Sequence, residues 1–147
     1  MLKILDYLNW WMCGNSWKST LANTGWCLLG CSIGDLGTIL YFQISGTAWP
    51  VTFIMALAII NGLLTSVLLE TIILMRKVKF SLAFKTAAGM SLVSMVAMEV
   101  AMNFTDFMIT GGAIVTWEAL PFILVAGFVT PLPYNYWRLR ALGMACH

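Results

Sequence analysis

Along this chain, long runs of apolar residues alternate with brief polar breaks. Four runs reach the roughly 20 residues of helix needed to cross about 30 Å of hydrocarbon. They cover 20–45, 50–74, 82–109 and 114–137. The breaks at 46–49, 76–80 and 110–112 are so short that consecutive helices must run antiparallel. The pattern predicts an all-α fold: an integral membrane four-helix up-down bundle, one transmembrane domain over 1–147. Ahead of the first run, Leu5, Leu8, Trp11 and Met12 recur at helical spacing with Lys3, Asp6 and Asn9 between them. This spacing predicts a short N-terminal amphipathic helix lying in the membrane interface, not a cleavable signal. Pro131 and Pro133 predict a kink or thinning at the inner end of the last span, with Asn135 meeting part of the freed backbone.

Composition makes lipid the solvent. Of 147 residues, 61% are hydrophobic and only 10% are charged, against about 25% charged in a typical soluble domain. Charge placement then sets direction. The basic residues are Lys3, Lys18, Arg76, Lys77, Lys79, Lys85, Arg138 and Arg140. All fall on the N-terminal segment, the second break with its flanks, or the C-terminal tail, which share one side of a four-span bundle. The positive-inside rule predicts a multi-pass protein with both termini cytoplasmic. Trp10, Trp11, Trp17 and Trp137 would mark the inner interface, and Trp49 and Trp117 the outer one. No long basic or acidic run exists, which excludes the electrostatic footprint of a nucleic-acid binder.

The candidate chemistry lies in polar residues inside apolar runs. Four of the six acidic residues fall there: Asp35, Glu70, Glu99 and Asp106. Each charge at the bilayer centre costs about 2.5–3.5 kcal/mol, so such groups face the bundle interior and mark ion pathways. Glu70 is expected near Arg76 and Lys77 at the membrane edge, and Asp106 near outer water. Asp35 and Glu99 are expected at matching depths, each about 16 residues from a cytoplasmic start at about 1.5 Å per residue. Cys27, Cys31 and Asp35 repeat every four residues and so share a helix face. Ser91, Met95, Met98, Glu99, Met102, Asn103 and Asp106 form the matching face of the third span.

Thiol and thioether sulfur select soft ions such as Cu(I), whereas carboxylate and amide oxygen suit harder cations. The expected metal-ligating set is Cys27, Cys31, Asp35, Met95, Met98, Glu99, Met102 and Asn103, with Cu(I) the first ion considered. Cys and Met are also adaptable packing residues, the plain alternative for each of them. Gly30 and Gly34 form a G-x-x-x-G pattern that predicts close helix contact beside this site. Cys13, Cys146 and His147 offer a cytoplasmic drop-off point for a soft metal.

Other chemistries fare worse. A Cys27–Cys31 disulfide is disfavoured on an intact helix, where Cβ atoms four residues apart lie about 5–6 Å from each other. The lone histidine, His147, ends the chain, which leaves haem ligation and a hydrolytic base without a residue in the spans. The chain is therefore not expected to be an enzyme.

Gly30-Cys31 followed by Gly34-Asp35, with Ser94-x-x-x-Met98-Glu99-x-x-x-Asn103, resembles a family of small four-helix bacterial membrane proteins of unknown function. So do Pro133-x-Asn135-x-Trp137 and the closing Gly143-x-x-Cys146-His147. The resemblance implies a four-helix fold in a bacterial inner membrane and brings no established activity. It also implies acidic residues near the positions held here by Ser91 and Met102.

The functional expectation is a small integral membrane protein that binds or translocates a cation, a soft metal first. The alternatives are a non-catalytic subunit of a larger membrane complex and a proton or small-cation channel. The expected partners are the lipid bilayer and further copies of the chain.

Overall fold

A computed structural model describes residues 14–76 and 78–141. The interfacial helix expected over residues 1–15 and the site expected from Cys13, Cys146 and His147 lie wholly or almost wholly outside the described residues. The described chain is helical throughout: α1 (Gly14–Ser45), α2 (Val51–Leu74), α3 (Phe80–Met90), α4 (Leu92–Thr110), α5 (Leu120–Val129) and α6 (Leu132–Ala141). Among the described residues, α1, α2 and α4 are long and apolar enough to cross a membrane.

The ends of these helices follow from local chemistry. Gly46 adopts φ +62° after α1, and Gly111 adopts φ +73° after α4 while its N–H bonds the Phe107 carbonyl. Both stop a helix in the left-handed conformation that glycine takes without a Cβ penalty. α2 starts directly after Pro50, close to the expected boundary.

Two expected spans are interrupted. The third run was expected unbroken over 82–109, yet it divides at Ser91 into α3 and α4. Ser91 stays in the right-handed region (φ −92°, ψ −15°), and its carbonyl accepts from both Met95 N–H and Ser94 Oγ. The fourth run was expected from 114, but α5 begins at Leu120. Pro121 sits in its first turn, where a missing N–H costs nothing. Residues 114–119 instead form a connection held by Gln43, whose side-chain amide both accepts from Val115 N–H (3.1 Å) and donates to Val115 O (3.4 Å). α5 then stops at Val129 because Pro131 has no N–H for the ladder.

The interior mixes polar groups with a methionine-rich apolar cluster, and the exterior is apolar. Asp35, Glu99, Asn103, Asp106 and Asn135 are buried, while Ile33, Leu64, Leu68, Phe104 and Val125 point outward. This distribution suits a lipid exterior. α1 and α2 share the most extensive interface, with α4 against α2 and α5, and α6 against α1. Glycine sets the spacing of the α1–α2 contact. A Cβ at Gly30 would meet Ser66 Cα at 2.7 Å, and one at Gly34 would overlap the Asn61 carbonyl and the Thr65 hydroxyl. Thr65 Oγ1 donates to the Gly30 carbonyl across this seam (2.6 Å).

Candidate functional site

The sequence-predicted residues are all buried, and a subset of them meets. Asn103 on α4 donates from Nδ2 to Asp35 Oδ1 on α1 at 3.0 Å. The same amide donates back to the Glu99 carbonyl at 3.1 Å, which fixes its direction. One turn toward the start of α4, the Glu99 side chain is fully buried and lodges against Gly62 of α2. A Cβ at position 62 would overlap its carboxylate. The Cys31 thiol lies within hydrogen-bonding reach of this carboxylate, and Asp35 is close enough to act on it electrostatically. Cys31 aside, neither Glu99 oxygen has a hydrogen-bond partner among the described residues, and Asn103 Oδ1 has none.

The two ladders therefore do meet, but about one turn out of the expected register. Asp35 pairs with Asn103, one turn beyond Glu99, and Cys31 as well as Asp35 faces the Glu99 carboxylate. The reason lies in how far the helices extend. The first described residue, Gly14, is already helical, several residues ahead of the expected boundary, and the third run is divided at Ser91.

The sulfur residues are engaged elsewhere. Cys27 and Cys31 are free thiols. Cys27 Sγ lies 3.3 Å from Ser66 Oγ, which also donates to the Cys27 carbonyl (3.2 Å). Met95, Met98 and Met102 pack with both cysteines, Ala119 and Ile123 in one buried cluster. Met102 covers Gly127 so closely that a Cβ there would come 2.6 Å from its Cγ. Among the described residues, no group of three or more His, Cys, Asp and Glu is arranged to hold a metal ion.

Three further expectations need correction. Ser91 does not join the ladder opposite Cys27; its hydroxyl donates to Glu70 Oε1 (2.7 Å) and accepts from Arg138 Nη1 (2.8 Å). Glu70 thus connects to the last helix and not to Arg76. Asp106 is buried rather than hydrated, because its carboxylate accepts from Ile114 N–H (3.3 Å) and Thr110 Oγ1 (3.2 Å) and so folds the following loop. Asn135 does not bond the backbone freed by proline through its side chain; its Nδ2 donates to Thr24 Oγ1 on α1 (2.9 Å).

The contribution of α2 was missed. Asn61, Gly62, Thr65, Ser66 and Glu70 line its inner faces, and Gly62, Ser66 and Glu70 recur every fourth residue. That stripe of small and polar residues in an otherwise apolar run was the available signal.

The chain belongs to the family described as a domain of unknown function (DUF4396), which matches residues 16–143. No curated protein and no solved structure matches it.

Proposed function

We propose that the protein is a multi-pass membrane protein that binds and passes a proton or small cation at Glu99, with Asp35 as its acidic neighbour. The observation that carries this reading is the Glu99 carboxylate, fully buried with no cation beside it and no donor but the weak Cys31 thiol. A bare carboxylate stranded in an apolar interior costs several kcal/mol. Among the described residues no Lys or Arg acts on the Glu99 carboxylate to offset that cost. A proton or an incoming cation removes the penalty, so the site is built to be neutralised from outside. Asn103 holds Asp35 in place beside it, a second acceptor for the same charge. Because Cys27 is engaged by Ser66, the methionines pack in a buried cluster and the described residues form no group of three or more His, Cys, Asp and Glu around an ion, the oxygen-based reading stands ahead of Cu(I) ligation.

In this reading α3 with α4 makes one crossing and α5 with α6 another, giving four in all. Trp17 stacks on Tyr136 at 4.5 Å, and Arg138 reaches Ser91, so the basic ends of α1, α3 and α6 gather together. The opposite end carries the Gln43–Val115 pairing and the Phe42–Trp49–Phe53 cluster. This segregation supports a cytoplasmic location for both termini.

The test is proton flux into liposomes holding the purified protein, a pH-sensitive dye and a potassium-diffusion potential, negative inside. Wild-type protein and a Glu118→Gln control should acidify the lumen, and Glu99→Gln should return flux to that of protein-free vesicles. Equal flux from wild type and Glu99→Gln would overturn the reading.

A further inference from the structure

We infer that Glu70 is a second proton- or cation-accepting station, at the basic end of the bundle, with Ser91 and Arg138 as its positioning residues. The inference rests on the reading of Glu99 above and extends it to a path. On α2, Gly62, Ser66 and Glu70 are spaced by four and so share one face. Each abuts a different part of the polar interior. Gly62 meets the Glu99 carboxylate, Ser66 meets the Cys27 thiol, and Glu70 meets the Ser91 hydroxyl. Eight residues of helix separate Gly62 from Glu70, a rise of about 12 Å. Cys31, Cys27 and Ser66 occupy the interval, and Cys27 lies within electrostatic reach of both Glu70 and Arg138. Half-buried Glu70 and buried Glu99 are thus linked by two thiols and a hydroxyl that run along the edge of the methionine cluster.

The local geometry distinguishes a station from a structural ion pair. Arginine and carboxylate held for stability alone bond directly, commonly through two parallel hydrogen bonds. Here the guanidinium bonds Ser91 Oγ, and Ser91 in turn donates to Glu70 Oε1. The second oxygen, Oε2, is buried without a hydrogen-bond partner among the described residues. One hydroxyl therefore keeps the positive group near the acid while leaving half of the carboxylate open to a proton or cation. The groups that face Glu70 from the surrounding elements are Cys27 on α1, Ser91 between α3 and α4, and Arg138 on α6. Ser91 sits at the helix interruption, so the interruption places its hydroxyl between the two charges.

Glu70→Gln separates this role from a tie between helices. Its amide oxygen still accepts from Ser91, so the contact survives while the titratable group is lost. In the liposome assay, Glu70→Gln is expected to drop proton flux to the protein-free level with an unchanged thermal midpoint in detergent. If Glu99→Gln abolishes flux and Glu70→Gln retains it, this inference fails and the reading of Glu99 stands. If neither substitution alters flux, both fail. Should Glu70→Gln not fold, wild-type protein is treated with dicyclohexylcarbodiimide and the adduct mapped by mass spectrometry. Flux lost in step with adduct on Glu70 supports the station, and flux intact with Glu70 fully modified overturns it.

Discussion

Adding a single methyl group at Gly30 should drive α1 and α2 apart. The new Cβ would stand 2.7 Å from Ser66 Cα and 3.3 Å from both Ser66 N and Ser66 Cβ. Ordinary carbon contacts sit at about 3.5–4.0 Å, so the shortfall is about 1 Å. Backbone is the obstacle, and no rotamer change can relieve it. Overpacking of this kind costs about 1–3 kcal/mol. Separation also weakens the Thr65 bond to the Gly30 carbonyl and the Ser66 bond to the Cys27 carbonyl. Interhelical hydrogen bonds in membranes average about 0.6 kcal/mol each, which brings the expected loss to about 2–4 kcal/mol. Gly37, two turns along the same helix, has nothing within 4 Å of its Cβ position. There the change to alanine should stabilise by about 0.5–1 kcal/mol through helix propensity. Reversible unfolding of the two variants in mixed micelles, followed by circular dichroism, should separate them by about 2.5–5 kcal/mol. Equal stability for Gly30→Ala and Gly37→Ala would refute the glycine-spaced seam.

Asn103→Leu removes the donor to Asp35 and should cost about 1–3 kcal/mol, because a buried acceptor loses its partner; thermal denaturation should show much of this recovered when Asp35→Leu is added. Protein purified without oxygen and reloaded with Cu(I) should hold no more copper than a Cys27→Ser, Cys31→Ser double variant. Near-stoichiometric copper lost in the double variant would restore the sulfur ladder as a site and displace the proton reading. A cysteine introduced as Thr47→Cys should react with a membrane-impermeant maleimide added to intact cells, and one introduced as Lys79→Cys only after the cells are broken. Labelling of both from one side would rule out the proposed topology.

The helical class and the apolar spans were legible because lipid demands long uninterrupted runs, and such runs are a property of sequence alone. The α1 face was legible for a related reason: Cys27, Cys31 and Asp35 repeat at helical period within one element. Matching two faces across space was harder. Whether Asp35 lies level with Glu99 or with Asn103 depends on how far each helix extends, and neither the helical turn that already holds Gly14 nor the interruption at Ser91 leaves much local trace. The link from Glu70 to Arg138 joins residues far apart in the chain through a serine that also divides a helix. Residue spacing cannot foresee a contact that depends on three elements at once. Glycine told more than it was asked. Gly30 and Gly34 announced a close contact, but Gly62 marked the seat of the central acid and looked like filler in an apolar run.

The seat formed by Gly62 has a hereditary consequence. Because the end of the Glu99 side chain occupies the volume that a side chain at position 62 would need, the two positions are coupled. Alanine at 62 forces the carboxylate to swing out of its seat, a shift that a flexible side chain can make, whereas a lineage that abandons the acid is released from keeping glycine. Gly62→Ala should therefore lower flux in the liposome assay while the fold persists, and adding Glu99→Asp should restore part of it.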